Sequence, residues 1–233
     1  VKKLGIIGGM SWQSTAIYYQ HLNQLVAADK GGLHSCELLL YSFDFARIAA
    51  LQANGQWEEA TNEMVSAARS LKAGGADALI IATNTMHKMA DAVEEATRLP
   101  LFHIADATAA ALKGAQCDNP LLLATKFTME QDFYKGRLID KHQLQVMTPD
   151  EEGRTLIHDV IYHELCQGVV TDESRERYIL EINRWALSHP IDSVILGCTE
   201  IGLLLSPSDH ELPLFDTTEI HCRYALAELA KLG

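Results

Sequence analysis

The chain has no extended run of lysine or arginine, and its 233 residues carry a formal charge of −12 at pH 7, with 19 basic side chains against 31 acidic ones. That balance repels phosphate backbones and anionic headgroups, so neither nucleic acid nor a membrane is an expected partner. No apolar stretch approaches the roughly 20 residues that cross a bilayer, and the opening VKKLGIIGG reads as a short strand with no apolar signal region behind it. The expected location is cytoplasmic. Paired cysteines are also lacking: the five present (Cys36, Cys117, Cys166, Cys198, Cys222) are odd in number and widely spaced, with no C-x-x-C among them. Ten histidines occur without an H-E-x-x-H or H-x-H arrangement, so no metal site is assigned. The first turn, Gly5-x-x-Gly8-Gly9, lacks both the G-x-G-x-x-G spacing of a dinucleotide site and the G-K-[ST] ending of a P-loop.

What is present is a 48% hydrophobic chain in which short β-rich runs alternate with longer segments of helical period. This pattern predicts an α/β fold built on parallel sheets. Strands are expected at 4–8, 37–43, 77–83 and 100–104, then at 120–125, 144–148, 192–198 and 213–216, four in each half. Trp57, Ala60, Met64, Ala67 and Leu71 predict a helix with one buried face, closed by Gly74-Gly75. Tyr178, Ile182, Trp185 and Ala186 predict another, started by Asp172 or Ser174.

The two halves repeat. DALIIATNT at 77 matches DSVILGCTE at 192, an offset of 192 − 77 = 115, and LPLFHIADA at 99 matches LPLFDTTEI at 212, an offset of 113. The first strand, at 4, and PLLLAT, at 120, stand 116 apart. The near-constant offset suggests duplication of one unit, the alternative being the composition that α/β strands share in any case. Duplication predicts two similar domains, each a mostly parallel four-stranded sheet flanked by helices, related by a pseudo-twofold axis with the site between them. Domain boundaries are expected at 1–103 plus 214–233, and at 104–213.

Reactive groups in open parallel sheets sit just past the carboxyl ends of the strands. The matched third strands end at Thr83 and Cys198, and two groups approaching one carbon from opposite sides suit inversion of a stereocentre by proton transfer. Free N–H groups of a following helix would favour the Cys198 thiolate. Asn84, Thr85, Thr199 and Glu200 could cradle a substrate carboxylate, with helix capping as the alternative. Ser11 reads as an N-cap after the glycine turn, beside Met10. Arg47 could fork onto a second carboxylate or remain solvated, and Gln52 follows on the same segment.

GIIGGMSW (5–12), TNTMH (83–87), TKFTMEQDFYKGRL (125–138) and GCTEIGLLL (197–205) together resemble the aspartate/glutamate racemase superfamily, closest to its aspartate racemase and broad-specificity amino acid racemase branch. The resemblance implies an isomerase that uses no pyridoxal phosphate or other cofactor, acts on a small amino acid and forms a homodimer. It implies two cysteines flanking the substrate α-carbon: Cys198 matches the second, and Thr83 stands where the first is usual. Met10, Gln52, Thr83 to Thr85 and Cys198 to Glu200 fall on positions that contact substrate in the family. Glu200, where glutamate racemases read His, points to the aspartate-type branch. A lysine common near 164–168 is replaced by Cys166. A single thiol leaves two alternatives, a lyase, decarboxylase or isomerase acting on a dicarboxylate and an amino acid binding protein without chemistry.

Overall fold

The computed structural model describes all residues, 1–233. The chain divides into two compact units, Val1–Ile104 with His221–Gly233, and Ala105–Ile220.

In the first unit, β1 (Leu4–Gly8) is followed by α1 (Trp12–Lys30), β2 (Leu38–Ser42), α2 (Phe45–Ala53), α3 (Trp57–Ala73), β3 (Ala78–Ile81) and α4 (Ala90–Thr97). The strands are parallel in the order β2-β1-β3, and Leu101 extends the sheet by one bridge to Leu79. Both sides of β1 and β3 are buried, which explains their continuous apolar sequence. Alternate residues separate the two cores. Ile7, Leu79 and Ile81 pack with Met64, Ala67 and Leu71 of α3, whereas Leu4, Ile6 and Ile80 pack with Tyr18 and Leu22 of α1 and with Cys222, Ala225 and Leu229. Gly74 remains right-handed, and the left-handed residue after α3 is Gly75 at φ +95°.

The second unit holds α5 (Ile104–Gly114), whose first residue, Ile104, belongs to the first unit, then β4 (Pro120–Leu123), α6 (Lys126–Glu130), α7 (Glu151–His163), α8 (Asp172–Ser188), β5 (Ser193–Leu196), α9 (Ile201–Leu204), β6 (Leu214–Asp216) and α10 (Thr217–Ala230), whose C-terminal part belongs to the first unit. Its order is β4-β5-β6, parallel, with Met147 bridged to Leu121 on the outer side of β4. The α8 cap is Thr171, one residue before the expected Asp172, its hydroxyl accepting from the Ser174 N–H.

The repeat is written into the strand registers. Leu4 pairs with Ala78 and Pro120 with Ser193, giving 120 − 4 = 116 and 193 − 78 = 115. Leu79 pairs with Leu101 and Val194 with Leu214, giving 194 − 79 = 115 and 214 − 101 = 113. These are the offsets of the sequence repeat. Two expected strands shrink, however. Only Leu101 of 100–104 and Met147 of 144–148 pair, so each sheet has three strands and one bridged residue, because α5 already starts at Ile104 and 144–148 runs out along an edge. Residues 214–216 pair with β5 and stay in the second unit, so the chain returns to the first unit at 221 and not at 214.

Candidate functional site

The strand ends carrying Thr83 and Cys198 are built alike. Ala82 donates its N–H to the Ile7 carbonyl at 2.9 Å, and Gly197 donates to Leu123 at 2.7 Å, so the next residue in each case leaves the sheet. Gly197 has no room for a side chain: a Cβ would stand 2.7 Å from Leu122 Cδ1 and 3.0 Å from Ala124 Cβ.

In the second unit, Cys198 is partly buried and its thiol donates to Glu200 Oε2 at 3.0 Å. The Thr199 hydroxyl donates to the same oxygen at 2.8 Å, and the Cys166 thiol reaches Oε1 at 3.8 Å. Glu200 is 2% exposed, so this carboxylate is held by three donors away from bulk water. Burial, then the charges of Glu200 and Cys166, push the Cys198 thiol well above the usual range, and burial and Glu200 push Cys166 up as well. The expected thiolate-stabilising helix is replaced by α9, four residues long, and the dominant neighbour is an acid rather than a helix terminus. Tyr162 and Tyr178 line the same region. Their phenols are raised by burial first and then by Cys198, and Tyr178 donates to the Ile157 carbonyl at 2.9 Å.

In the first unit, Thr83 is partly exposed, while Asn84 and Thr85 are buried at 3% and 5%. Ser11 caps α1, accepting from the Ser14 N–H at 3.3 Å. Gly9 has φ +83°, and a Cβ there would meet Phe43 N at 2.3 Å, so its bare face is filled by the chain's own backbone rather than left open to a ligand. Met10 lies in the apolar cluster with Met64 and Met86. Gln52 is 6% exposed; its Nε2 contacts Met86 Sδ at 3.1 Å, and its Oε1 has no hydrogen-bond partner. Arg47 is exposed and its guanidinium engages Glu63 of α3, which sets it apart from Gln52 on the same helix. The structure thus groups Cys198, Thr199 and Glu200 directly, joins Gln52 to the TNTMH segment through Met86, and commits Arg47 elsewhere.

Two residues of these surroundings are not marked out by the sequence: Cys166, a member of the Glu200 cluster, and His87, behind Thr83. A histidine four residues past a strand-end threonine was the available signal for the second; nothing in the spacing of Cys166 gave the first.

A family model described as Asp/Glu/Hydantoin racemase matches residues 7–225. Among solved structures, a candidate Asp/Glu racemase from Yersinia pestis is 47% identical, covering 99% of this chain and 100% of the other with a TM-score of 0.91. An aspartate racemase homologue from Pyrococcus horikoshii is 32% identical over 99% of this chain and 100% of the other, with a TM-score of 0.85. A glutamate racemase from Actinobacillus pleuropneumoniae is 29% identical over 138 residues, 59% of this chain and 50% of that protein, so the chain spans about half the length of the curated relatives it matches. No helix is long and apolar enough to cross a membrane.

Proposed function

The chain belongs to the Asp/Glu/hydantoin racemase family, and from that premise we propose that it racemises a small acidic amino acid, aspartate first, by proton transfer at the α-carbon without pyridoxal phosphate. The observation that carries the proposal is the 3.0 Å contact from Cys198 Sγ to Glu200 Oε2. A thiol raised by burial and by a neighbouring acid is a poor source of thiolate if its proton must leave for water. Transfer to Glu200 is different: the carboxylate becomes a carboxylic acid as the thiol becomes a thiolate, and the buried group keeps one negative charge throughout.

The thiolate then takes the α-proton and returns to the thiol, while the electron pair of the C–H bond passes to the substrate as a carbanion delocalised into its α-carboxylate. Backbone and side-chain donors of 83–85 and 198–200 are the groups assigned to that carboxylate. Racemisation is completed when a proton returns to the opposite face from the Thr83 hydroxyl or a water it holds; the alkoxide or hydroxide left there regains a proton from solvent, and Glu200 gives up to solvent the proton it took from Cys198. Because a hydroxyl is far less acidic than a thiol, the two faces are served unequally. The aspartate assignment leans on the kinship with the Pyrococcus homologue and on Glu200 in the position that reads His in glutamate racemases.

The test is α-proton exchange in deuterated buffer, read by NMR and chiral chromatography, on both enantiomers of aspartate, glutamate and homoserine. Exchange with appearance of the opposite enantiomer, abolished in Cys198→Ala, is expected. Exchange with full retention would replace racemisation by one-base chemistry. Thr83 in place of a second thiol favours one further reading, a single-thiol decarboxylase, for which carbon dioxide release from a substituted malonate without amino acid exchange is the signature.

A further inference from the structure

Behind Thr83 lie three buried histidines that the proposed chemistry does not use. His87, His103 and His221 are each no more than 4% exposed, with the His87 ring 4.6 Å from that of His103 and 5.6 Å from that of His221. The bonds of His87 identify its tautomer. The Thr83 carbonyl, 2.8 Å from Nδ1, can only accept, so Nδ1 carries the hydrogen. The Ile104 N–H, 3.2 Å from Nε2, can only donate, so Nε2 is bare. Burial, together with the nearby His103 and His221, holds the protonated form off.

The ring also replaces a missing backbone bond. In an α-helix the Thr83 carbonyl would accept from the backbone N–H of His87, four residues on. Here that N–H goes to Asn84 at 3.1 Å, the segment Thr85–Met89 winds as a 3₁₀ helix, and the imidazole takes the Thr83 carbonyl in its place. The other ring nitrogen satisfies the first N–H of α5, a group with no partner inside its own helix.

We propose that His87 is a positioning residue for the Thr83 loop, its Nδ1–H tautomer clamping the Thr83–Asn84 peptide to the start of α5 so that the threonine leaves the strand at a set angle. A donor on the Thr83 carbonyl also polarises that peptide, strengthening the Asn84 N–H as a donor in turn. The matching position in the second unit, 87 + 115 = 202, is Gly202, so the clamp belongs to the threonine side alone.

This inference rests on the reading of Thr83 as part of the reacting site, and its test separates the two. His87→Asn places an amide nitrogen where Nδ1 was and keeps the bond to Thr83, whereas His87→Gln reaches Ile104 and loses Thr83. Each variant gives up one buried hydrogen bond, so both are expected to unfold at similar temperatures. In the exchange assay, kcat for His87→Gln is expected to fall about tenfold or more with little change in KM, as for other small displacements of a reacting group. His87→Asn recovers most of that loss. Equal losses at equal stability overturn the proposal. If the wild type itself exchanges no α-proton, the functional reading fails, and the clamp is decided by NMR. Histidine ring nitrogen-15 spectra are expected to show Nδ1 protonated and Nε2 bare, and the Asn84 amide signal to shift in His87→Gln but not in His87→Asn; an Nε2–H tautomer or the reverse pattern overturns it.

Discussion

Acidification from about pH 7 to about pH 4 is expected to cost this protein stability, and the share that His221 carries follows from the structure. His221 is fully buried, its Nδ1 2.8 Å from the Tyr18 hydroxyl and its Nε2 2.6 Å from the Phe102 carbonyl. The carbonyl can only accept, so Nε2 carries the hydrogen and Nδ1 accepts from Tyr18. Protonation would make Nδ1 a donor, force the Tyr18 hydroxyl to turn from donor to acceptor, and set a charge beside the His87 ring. Burial lowers the folded-state pKa from 6.5 to about 4, the Phe102 carbonyl offsetting only part of that effect. A histidine depressed in this way gives stability that is complete above the unfolded value of 6.5 and is lost as the pH falls toward the folded value. At about 1.4 kcal/mol per pH unit, the gap between 6.5 and about 4 amounts to about 3 kcal/mol. Urea unfolding of wild type and His221→Gln at both ends of the range isolates this quantity, because other titrating groups are common to the pair. The stability of the wild type relative to the variant is expected to decline by about 3 kcal/mol on acidification. A difference that stays constant, or grows in favour of the wild type, refutes the argument.

Glu200→Gln removes the acceptor for the Cys198 proton while keeping the shape of the side chain. Its kcat for α-proton exchange is expected to drop about a hundredfold, with binding of aspartate, followed by calorimetry, largely retained. Thr83→Cys supplies a second thiol and should raise the ratio of inverted to retained product in deuterated buffer; an unchanged ratio would separate Thr83 from the reprotonation step. Gly9→Ala forces a Cβ against Phe43 N and O at a backbone φ of +83°, and thermal unfolding should show a loss of about 2 kcal/mol or more.

The repeat that the sequence displays at offsets near 115 reappears as hydrogen-bond register, because the same apolar alternation that made 77–85 and 192–200 look alike also determines which face each residue buries. Periodicity located α3 and α8 for the same reason. What spacing could not reach was side-chain direction. Glu200 is two residues from Cys198, yet its carboxylate turns back onto the thiol, and Cys166 arrives from a turn more than thirty residues away to complete the cluster. Arg47 illustrates the converse: a helix position five residues from Gln52 faces Glu63 instead. The shortened strands at 101 and 147 were equally hidden, since an edge segment can carry β-rich sequence and still pair at a single residue.

The interrupted course of the first unit bears on how the protein is made. Its sheet face at Leu4, Ile6 and Ile80 is covered in part by Cys222, Ala225 and Leu229, which leave the ribosome only after the entire second unit. At a synthesis rate of about 5–20 residues per second, that apolar face waits several seconds for its cover while the intervening unit has time to close on its own. Nascent chains stalled before residue 221 should therefore bind chaperones through the first unit's exposed sheet, and release should coincide with emergence of the last turns of α10.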